Sequence, residues 1–245
     1  FVNNIYSYLD SDLPGSGALA SACDEAEMAL TYSSVLDYTN GNWNALNPKS
    51  LWNYYTPIRA VNYYLKNAKD LDFYDLRFTE DYEAQMNRFK RYYFQLVRAY
   101  GDVPFTTSVL TEAEANSLKR TPASEIFDFI VSECDAVAPE LPIDYSKLEN
   151  DAAGNSEKPE TGRVTQGTAL ALKARALLYR ASKLFNESEN KEFYKEAAKA
   201  NLDVLNYCSK NGITLGKCTD LWGENNWKAS EMIFVRRVGA ASDPE

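Results

Sequence analysis

The chain has 245 residues, 45% of them hydrophobic, enough to bury a substantial core without disulfide staples. Its formal net charge is -9, its isoelectric point lies near 4.8, and no stretch concentrates Lys and Arg, which argues against nucleic acid, whose affinity is dominated by phosphate neutralisation. There is no histidine, so imidazole-based Ser or Cys triads and His-ligated zinc are excluded.

Apolar spacing near 3.6 residues recurs through most of the sequence and strand-like alternation is scarce, which predicts an all-α protein. A first helix is expected from about Leu19 to Leu36, after the Gly15-Ser16-Gly17 break, with Leu19, Cys23, Ala26 and Leu30 on one face. Turn formers and two aromatics between Asp37 and Asn44 then read as a loop. Asn47-Pro48 opens a second helix carrying Trp52, Tyr55, Ile58, Asn62 and Leu65, in which Pro57 is expected to kink the backbone. In the third, Thr79 caps an acidic first turn, Met86, Phe89, Tyr93, Leu96 and Tyr100 form the apolar face, and Gly101 and Pro104 end it.

A fourth helix starts at Thr121-Pro122, runs through Ile126, Phe127, Ile130, Cys134 and Val137, and stops before Leu141-Pro142. The polar, aperiodic stretch from Asp144 to Gly162 is the best linker in the chain. The fifth helix, from Thr165, is apolar on nearly every side and rich in alanine, so it must be covered on more than one face. The sixth, from about Phe193 to Cys208, repeats Phe193, Ala197, Ala200, Val204 and Cys208. Together these predict stacked helical hairpins resembling tetratricopeptide repeats, with long connecting loops, in one helical-repeat domain over 1–245. The cysteines, Cys23, Cys134, Cys208 and Cys218, lack metal-type spacing and read as free thiols, with Cys208 and Cys218 the only pair close enough in sequence for a local bridge.

Three segments go beyond generic helix patterning: Trp52 to Asn62 (WNYYTPIRAVN), Arg88 to Pro104 (RFKRYYFQLVRAYGDVP) and Gly162 to Arg175 (GRVTQGTALALKAR). In that order, with Arg120-Thr121-Pro122 and Leu141-Pro142 between the last two and Ser230 to Phe234 (SEMIF) after them, the chain resembles the SusD/RagB family of nutrient-binding outer-membrane lipoproteins over nearly its whole length. Each segment also has a plain structural job: Tyr92, Tyr93 and Phe94 pack helix on helix, Gly101 makes a left-handed C-cap, and Thr165 an N-cap. The resemblance implies a non-catalytic protein, without cofactor, that holds oligosaccharide or another nutrient at the bacterial cell surface and delivers it to a partner TonB-dependent, SusC-like transporter. It also implies outer-membrane localisation, with membrane contact only through a lipid anchor upstream of this chain. Family members are roughly twofold longer, so the chain is expected to be the N-terminal portion of such a protein.

A sugar offers one apolar face and a rim of hydroxyls, so its site needs an aromatic platform beside amides or carboxylates. The 38–44 loop has that composition. Trp43 and Tyr38 are candidate platforms, Asn40, Asn42 and Asn44 candidate hydrogen-bonding amides, and Tyr32 a further platform residue. The competing reading is that Trp43 plugs the next helix while the asparagines make turns. Trp222 and Trp227 are a second aromatic pair, read as packing. For the protein as a whole the rival is a helical-repeat scaffold that binds polypeptide and no glycan. Glycoside hydrolysis needs only two carboxylates, but none of the 35 Asp and Glu sits in a recognisable catalytic motif. Neither Asp10 with Asp12 nor the Asn150, Asp151, Asn155 and Glu157 loop matches a calcium-loop spacing, so no metal is expected.

Overall fold

A computed structural model of the chain describes residues 19–22, 24, 29, 35–42, 44, 52–68, 91–144, 164–221 and 229–234. The fold is all-α. A one-turn helix α1 (Leu36–Thr39) is followed by α2 (Tyr55–Ala68), α3 (Arg91–Tyr100), α4 (Glu112–Ser117), α5 (Ala123–Val137), α6 (Gln166–Ala181) and α7 (Lys191–Lys210), with short 3-10 turns at Leu19–Ala22, Trp52–Tyr54, Ala138–Glu140 and Cys218–Leu221. Strands β1 (Val103–Pro104) and β2 (Arg120–Thr121) form a two-residue antiparallel ladder, pairing Val103 with Thr121 and Pro104 with Arg120. The longer helices pack in chain order, α2 on α3, α3 on α5, α5 on α6 and α6 on α7, as stacked hairpins of the tetratricopeptide type.

Local chemistry accounts for the boundaries. Pro57, expected within a helix interior, lies in the first turn of α2, where its missing N–H costs no intrahelical bond, directly after the 3-10 turn Trp52–Tyr54. Gly101 ends α3 with φ +67°, its N–H donating to the Val97 carbonyl at 2.9 Å, as a left-handed cap. Helix α4 went unread in the sequence although Thr111 and Glu114 carry its signature. The Thr111 Oγ accepts from the Glu114 N–H, and the Glu114 carboxylate accepts from the Thr111 N–H at 2.8 Å. That N–H, and then the Thr111 hydroxyl, hold the Glu114 carboxyl below its usual range. Thr165 caps α6 through a second box with Thr168.

Two expectations shift by a residue or more. Pro122 is the N-cap residue of α5, not its first helical position, and the capping acceptor comes from a distance: the Ala123 N–H donates to Asp102 Oδ1 at 2.8 Å. Helix α7 extends past the predicted ends on both sides, with Asn190 as N-cap accepting from the Glu192 N–H at 3.0 Å. Much of the first and third predicted helices, with Cys23, Thr79, Met86 and Phe89, and nearly all of the Asp144 to Gly162 linker lie outside the described residues. The residues that flank that linker are in contact: the Gln166 N–H donates to the Pro142 carbonyl at 3.0 Å.

The main core joins α2, α3 and α5. Tyr92, Tyr93 and Phe94 are all buried, as read from the aromatic run, with Leu96, Val97, Ile126, Phe127 and Ile130 around them. Tyr54 stacks on Tyr92 at 5.6 Å, and Phe94 meets Tyr179 edge to face at 5.1 Å, tying α3 to α6. A second core is built almost wholly from small residues, Ala174, Ala181, Ala197 and Ala200 with Leu177, where α6 and α7 meet. Helix α6 therefore touches α5 on one side and α7 on another, as its all-round apolarity required. Arg180, 9% exposed, spans three helices: it pairs with Asp128 of α5 at 2.5 Å and with Glu196 of α7, and lies over the Phe193 ring at 4.6 Å. Cys134, Cys208 and Cys218 are free thiols, and burial, reinforced by the Asp135 carboxylate, pushes the Cys134 thiol up to about 12.

At the first turn of α6, Gly167 faces Tyr207 of α7; a Cβ there would stand 2.7 Å from the tyrosine Cε1 and 3.3 Å from Ile233. Gly167→Ala improves helix propensity by about 1 kcal/mol, yet overpacking a closed seam costs about 1–3 kcal/mol. The variant is expected to be less stable than the parent in urea denaturation; a raised midpoint would contradict the close approach.

Candidate functional site

The stretch from 37 to 44 is not a loop throughout. Asp37, Tyr38 and Thr39 belong to α1, where the Asn40 N–H donates to the Leu36 carbonyl at 2.9 Å and the Thr39 hydroxyl to the same carbonyl at 3.2 Å. Gly41, at φ +79°, turns the chain out of that helix. The helical turn leaves Tyr38 39% exposed. Beyond it, Asn40 Oδ1 accepts from the Asn42 N–H at 3.0 Å, an Asx turn, and Asn44 Nδ2 donates to the Asn42 carbonyl at 3.1 Å. The side-chain amides of Asn40 and Asn44 are therefore engaged with the backbone, the role the turn reading gave them. Tyr38, Asn40, Asn42 and Asn44 are all exposed and share one short turn. Trp43 and Tyr32 lie outside the described residues, as do Trp222, Trp227 and the residues weighed as cation ligands, Asp10, Asp12, Asn150, Asp151, Asn155 and Glu157. Among the described residues no three His, Cys, Asp or Glu side chains group as metal ligands.

A constellation that sequence reading missed lies on α2 and α3. Tyr55, Arg59 and Asn62, spaced i, i+4 and i+7, share one face of α2 and hold the backbone of the 101–111 segment. The Tyr55 hydroxyl donates to the Pro104 carbonyl at 2.5 Å and the Arg59 guanidinium to the Leu110 carbonyl at 3.0 Å. Asn62, 5% exposed, donates from Nδ2 to the carbonyls of Ser108 at 3.2 Å and Thr106 at 3.4 Å. From α3 the Tyr93 hydroxyl donates to the Thr106 carbonyl at 2.8 Å and accepts the Thr106 N–H at 2.9 Å. These bonds satisfy backbone groups that the segment's lack of regular structure leaves without ladder partners. They also explain the two sequence segments in which these residues lie: the polar side chains there shape a connection. The spacing of Tyr55, Arg59 and Asn62 was the available signal.

Burial raises the hydroxyls of both tyrosines, with the neighbouring Tyr93 adding to the effect on Tyr55; Tyr93 itself is pushed up to about 12 against the Thr106 N–H, which pulls the other way. The unfolded chain ionises near 10, so above that pH it binds fewer protons than the folded chain and stability falls. The stabilisation is complete below about pH 10 and is lost as pH rises toward 12. Tyr93→Phe is expected to flatten that alkaline limb in pH-dependent urea titrations and to cost about 1–3 kcal/mol at neutral pH, because the Thr106 N–H loses its acceptor while its carbonyl keeps only the longer bond from Asn62. An unchanged limb would remove Tyr93 from the clamp.

No protein-family model and no curated protein matches the chain. Solved structures do. A SusD-like protein from Bacteroides fragilis superposes with a TM-score of 0.70 at 21% identity, over 98% of this chain and 44% of that one. A SusD superfamily protein from Parabacteroides distasonis matches at 26% identity with a TM-score of 0.58, over 77% of this chain and 37% of that one. A SusD-like carbohydrate-binding protein from Bacteroides fragilis also matches at 26% identity, with a TM-score of 0.51, over 67% and 29%. The chain thus spans less than half the length of the solved structures it matches. The fold of this chain is thus similar to that of SusD-like proteins.

Proposed function

We propose that this chain is the N-terminal, helical-repeat portion of a non-catalytic protein that captures oligosaccharide at the outer-membrane surface and delivers it to a TonB-dependent transporter of the SusC type. The observation that carries this reading is the shared fold, at 26% identity, with a SusD-like protein that binds carbohydrate. Tyr38, an exposed aromatic residue beside a turn that carries three asparagines, has the composition a sugar site needs. The lack of histidine agrees with a binding role without acid–base chemistry of the imidazole type. A lipid anchor upstream of this chain would provide the membrane contact; among the described residues no helix is long and apolar enough to cross a bilayer.

The competing reading is a helical scaffold for protein–protein interaction, favoured by the stacked hairpins themselves. The two separate on a single measurement. Tyr38→Ala and Trp43→Ala, each made in the full-length protein, are expected to weaken oligosaccharide binding by about tenfold or more in isothermal titration calorimetry, with little change in melting temperature. Unchanged affinity in both variants would dismiss the 38–44 turn as the site, and no heat with any of a panel of glycans would favour the scaffold. In parallel, incubation with polysaccharides is expected to release no product; release proportional to protein concentration and lost on substitution of one carboxylate would make the protein a hydrolase.

A further inference from the structure

The chain contains two Asn-Gly steps, Asn40-Gly41 at the end of α1 and Asn211-Gly212 at the end of α7. Their backbones are nearly the same. Asn40 has φ -94° and ψ 2°, Asn211 has φ -103° and ψ 11°, and the glycines that follow have φ +79° and +71° with open space where a Cβ would stand. An asparagine side-chain amide is most easily reached by the next main-chain nitrogen when that nitrogen belongs to glycine, which puts no Cβ in the way. At ψ near zero the glycine nitrogen eclipses the asparagine's own nitrogen and stands away from Cβ. In both places the linking peptide must therefore turn about the Asn Cα–C bond before the nitrogen meets Cγ, and the two steps differ in what holds that peptide.

At Asn211 the hydrogen bonds resist. Its Nδ2 donates to the Tyr207 carbonyl at 2.8 Å, and beyond Gly212 the Ile213 N–H donates to the Cys208 carbonyl at 2.9 Å. The amide and the far side of the peptide are thus both tied to the last turn of a 20-residue helix. Each bond that must open first slows the step by roughly two- to tenfold.

At Asn40 they assist. Its Nδ2 forms no hydrogen bond among the described residues, while beyond Gly41 the Asn42 N–H donates at 3.0 Å to Asn40 Oδ1, the oxygen of the carbonyl that would be attacked. That bond leaves the departing nitrogen untied, draws electrons from Cγ and supports negative charge on Oδ1. It does not anchor the peptide to a helix, because its acceptor is the reacting side chain itself. The helix behind is a single turn, and Asn40, Gly41 and Asn42 are all exposed.

We propose that Asn40 is a site of spontaneous deamidation, and that Asn211, in the same dipeptide, is protected from it by the fold. The Gly41 nitrogen gives its proton to solvent base and bonds to Cγ, the carbonyl electron pair moving to Oδ1. That pair returns as the Cγ–Nδ2 bond breaks, and Nδ2, taking a proton from solvent, leaves as ammonia. Water then opens the cyclic imide at either carbonyl. Opening at Cγ leaves aspartate; opening at the main-chain carbonyl leaves isoaspartate, whose backbone is lengthened by the former side-chain methylene. Overall a water is consumed and an ammonia released, with no change of oxidation state. Either product puts a carboxylate in the turn in place of an amide, and isoaspartate also carries the acceptor of the Asn42 N–H into the main chain, undoing the Asx turn. The inference stands on the chemistry of the turn and is independent of whether the turn meets glycan.

The test incubates the 245-residue chain in mildly alkaline buffer and maps its peptides by mass spectrometry, with electron-transfer fragmentation to tell isoaspartate from aspartate. In the folded chain Asn40 is expected to convert about tenfold or more faster than Asn211. In urea, where neither set of hydrogen bonds persists, the two rates should converge. N42P removes the donor to Oδ1 at an exposed position, and is expected to slow Asn40 severalfold in the folded chain, to leave Asn211 unaltered and to have no effect in urea. Equal rates at the two asparagines in the folded chain, or a faster Asn211, overturn the proposal. So does a difference that survives in urea, which would place its cause in the neighbouring sequence, and so does an unaltered Asn40 rate in N42P, which would deny the Asn42 N–H its part.

Discussion

The close approach of α6 to its neighbours is the constraint on which the remaining packing depends. Ala174 and Ala181 meet Ala197 and Ala200 across the α6–α7 seam, Ala176 reaches into the aromatic core, and Ala169 joins the cluster at the end of α5. Small side chains let helix axes approach, and dispersion between close backbones then compensates for the modest area that each alanine buries. The seam is closed at its start, where a Cβ on Gly167 would meet the Tyr207 ring. Arg180 acts in the same place electrostatically. It stands in the seam with partners on α5 and α7, and those partners are themselves half exposed, so its contribution lies more in fixing the relative setting of three helices than in net stability.

The segment between α3 and α5 shows how irregular backbone is accommodated within such a stack. It has one two-residue ladder and one six-residue helix, and several of its carbonyls are claimed by side chains from α2 and α3. Gly101 redirects the chain, Asp102 caps the following helix, and Pro104 pairs with Arg120, whose guanidinium returns to the Asp102 carbonyl at 3.3 Å. A run that reads as a motif in one dimension is thus a joint in three, and its residues are held by backbone geometry. Tyr38 and the asparagines that follow are exposed at the end of a one-turn helix, the surface setting in which binding residues are commonly placed.

Much of this was legible in the sequence because the signals were local. Period and capping fix a helix wherever it packs: the face of Ile126, Phe127, Ile130, Cys134 and Val137, the Thr165 cap and the Gly101 stop required no knowledge of partners. The all-round apolarity of α6 even announced that it would be covered twice. Helix α4 was equally legible and was overlooked, since its capping box precedes a run without apolar period.

Tertiary structure decided whatever depends on residues far apart in the chain. Pro57 was placed in a first turn by where α2 begins, and the Ala123 N–H after Pro122 found its acceptor in Asp102, at the preceding helix–strand junction. Tyr55, Arg59 and Asn62 carried a helical spacing that could be read, but the backbone they hold lies more than 40 residues away, as the 44-residue separation of Asn62 from Thr106 shows. The 38–44 stretch is the case in point for function. Composition marked it as sugar-like, while the choice between amides that meet a ligand and amides that close a turn depends on dihedral angles and on Gly41, which composition does not specify. Sequence determined the helices and the kind of scaffold, because those follow from short-range periodicity; the fold decided which polar side chains serve the backbone and which face solvent, because that depends on what the chain brings beside them.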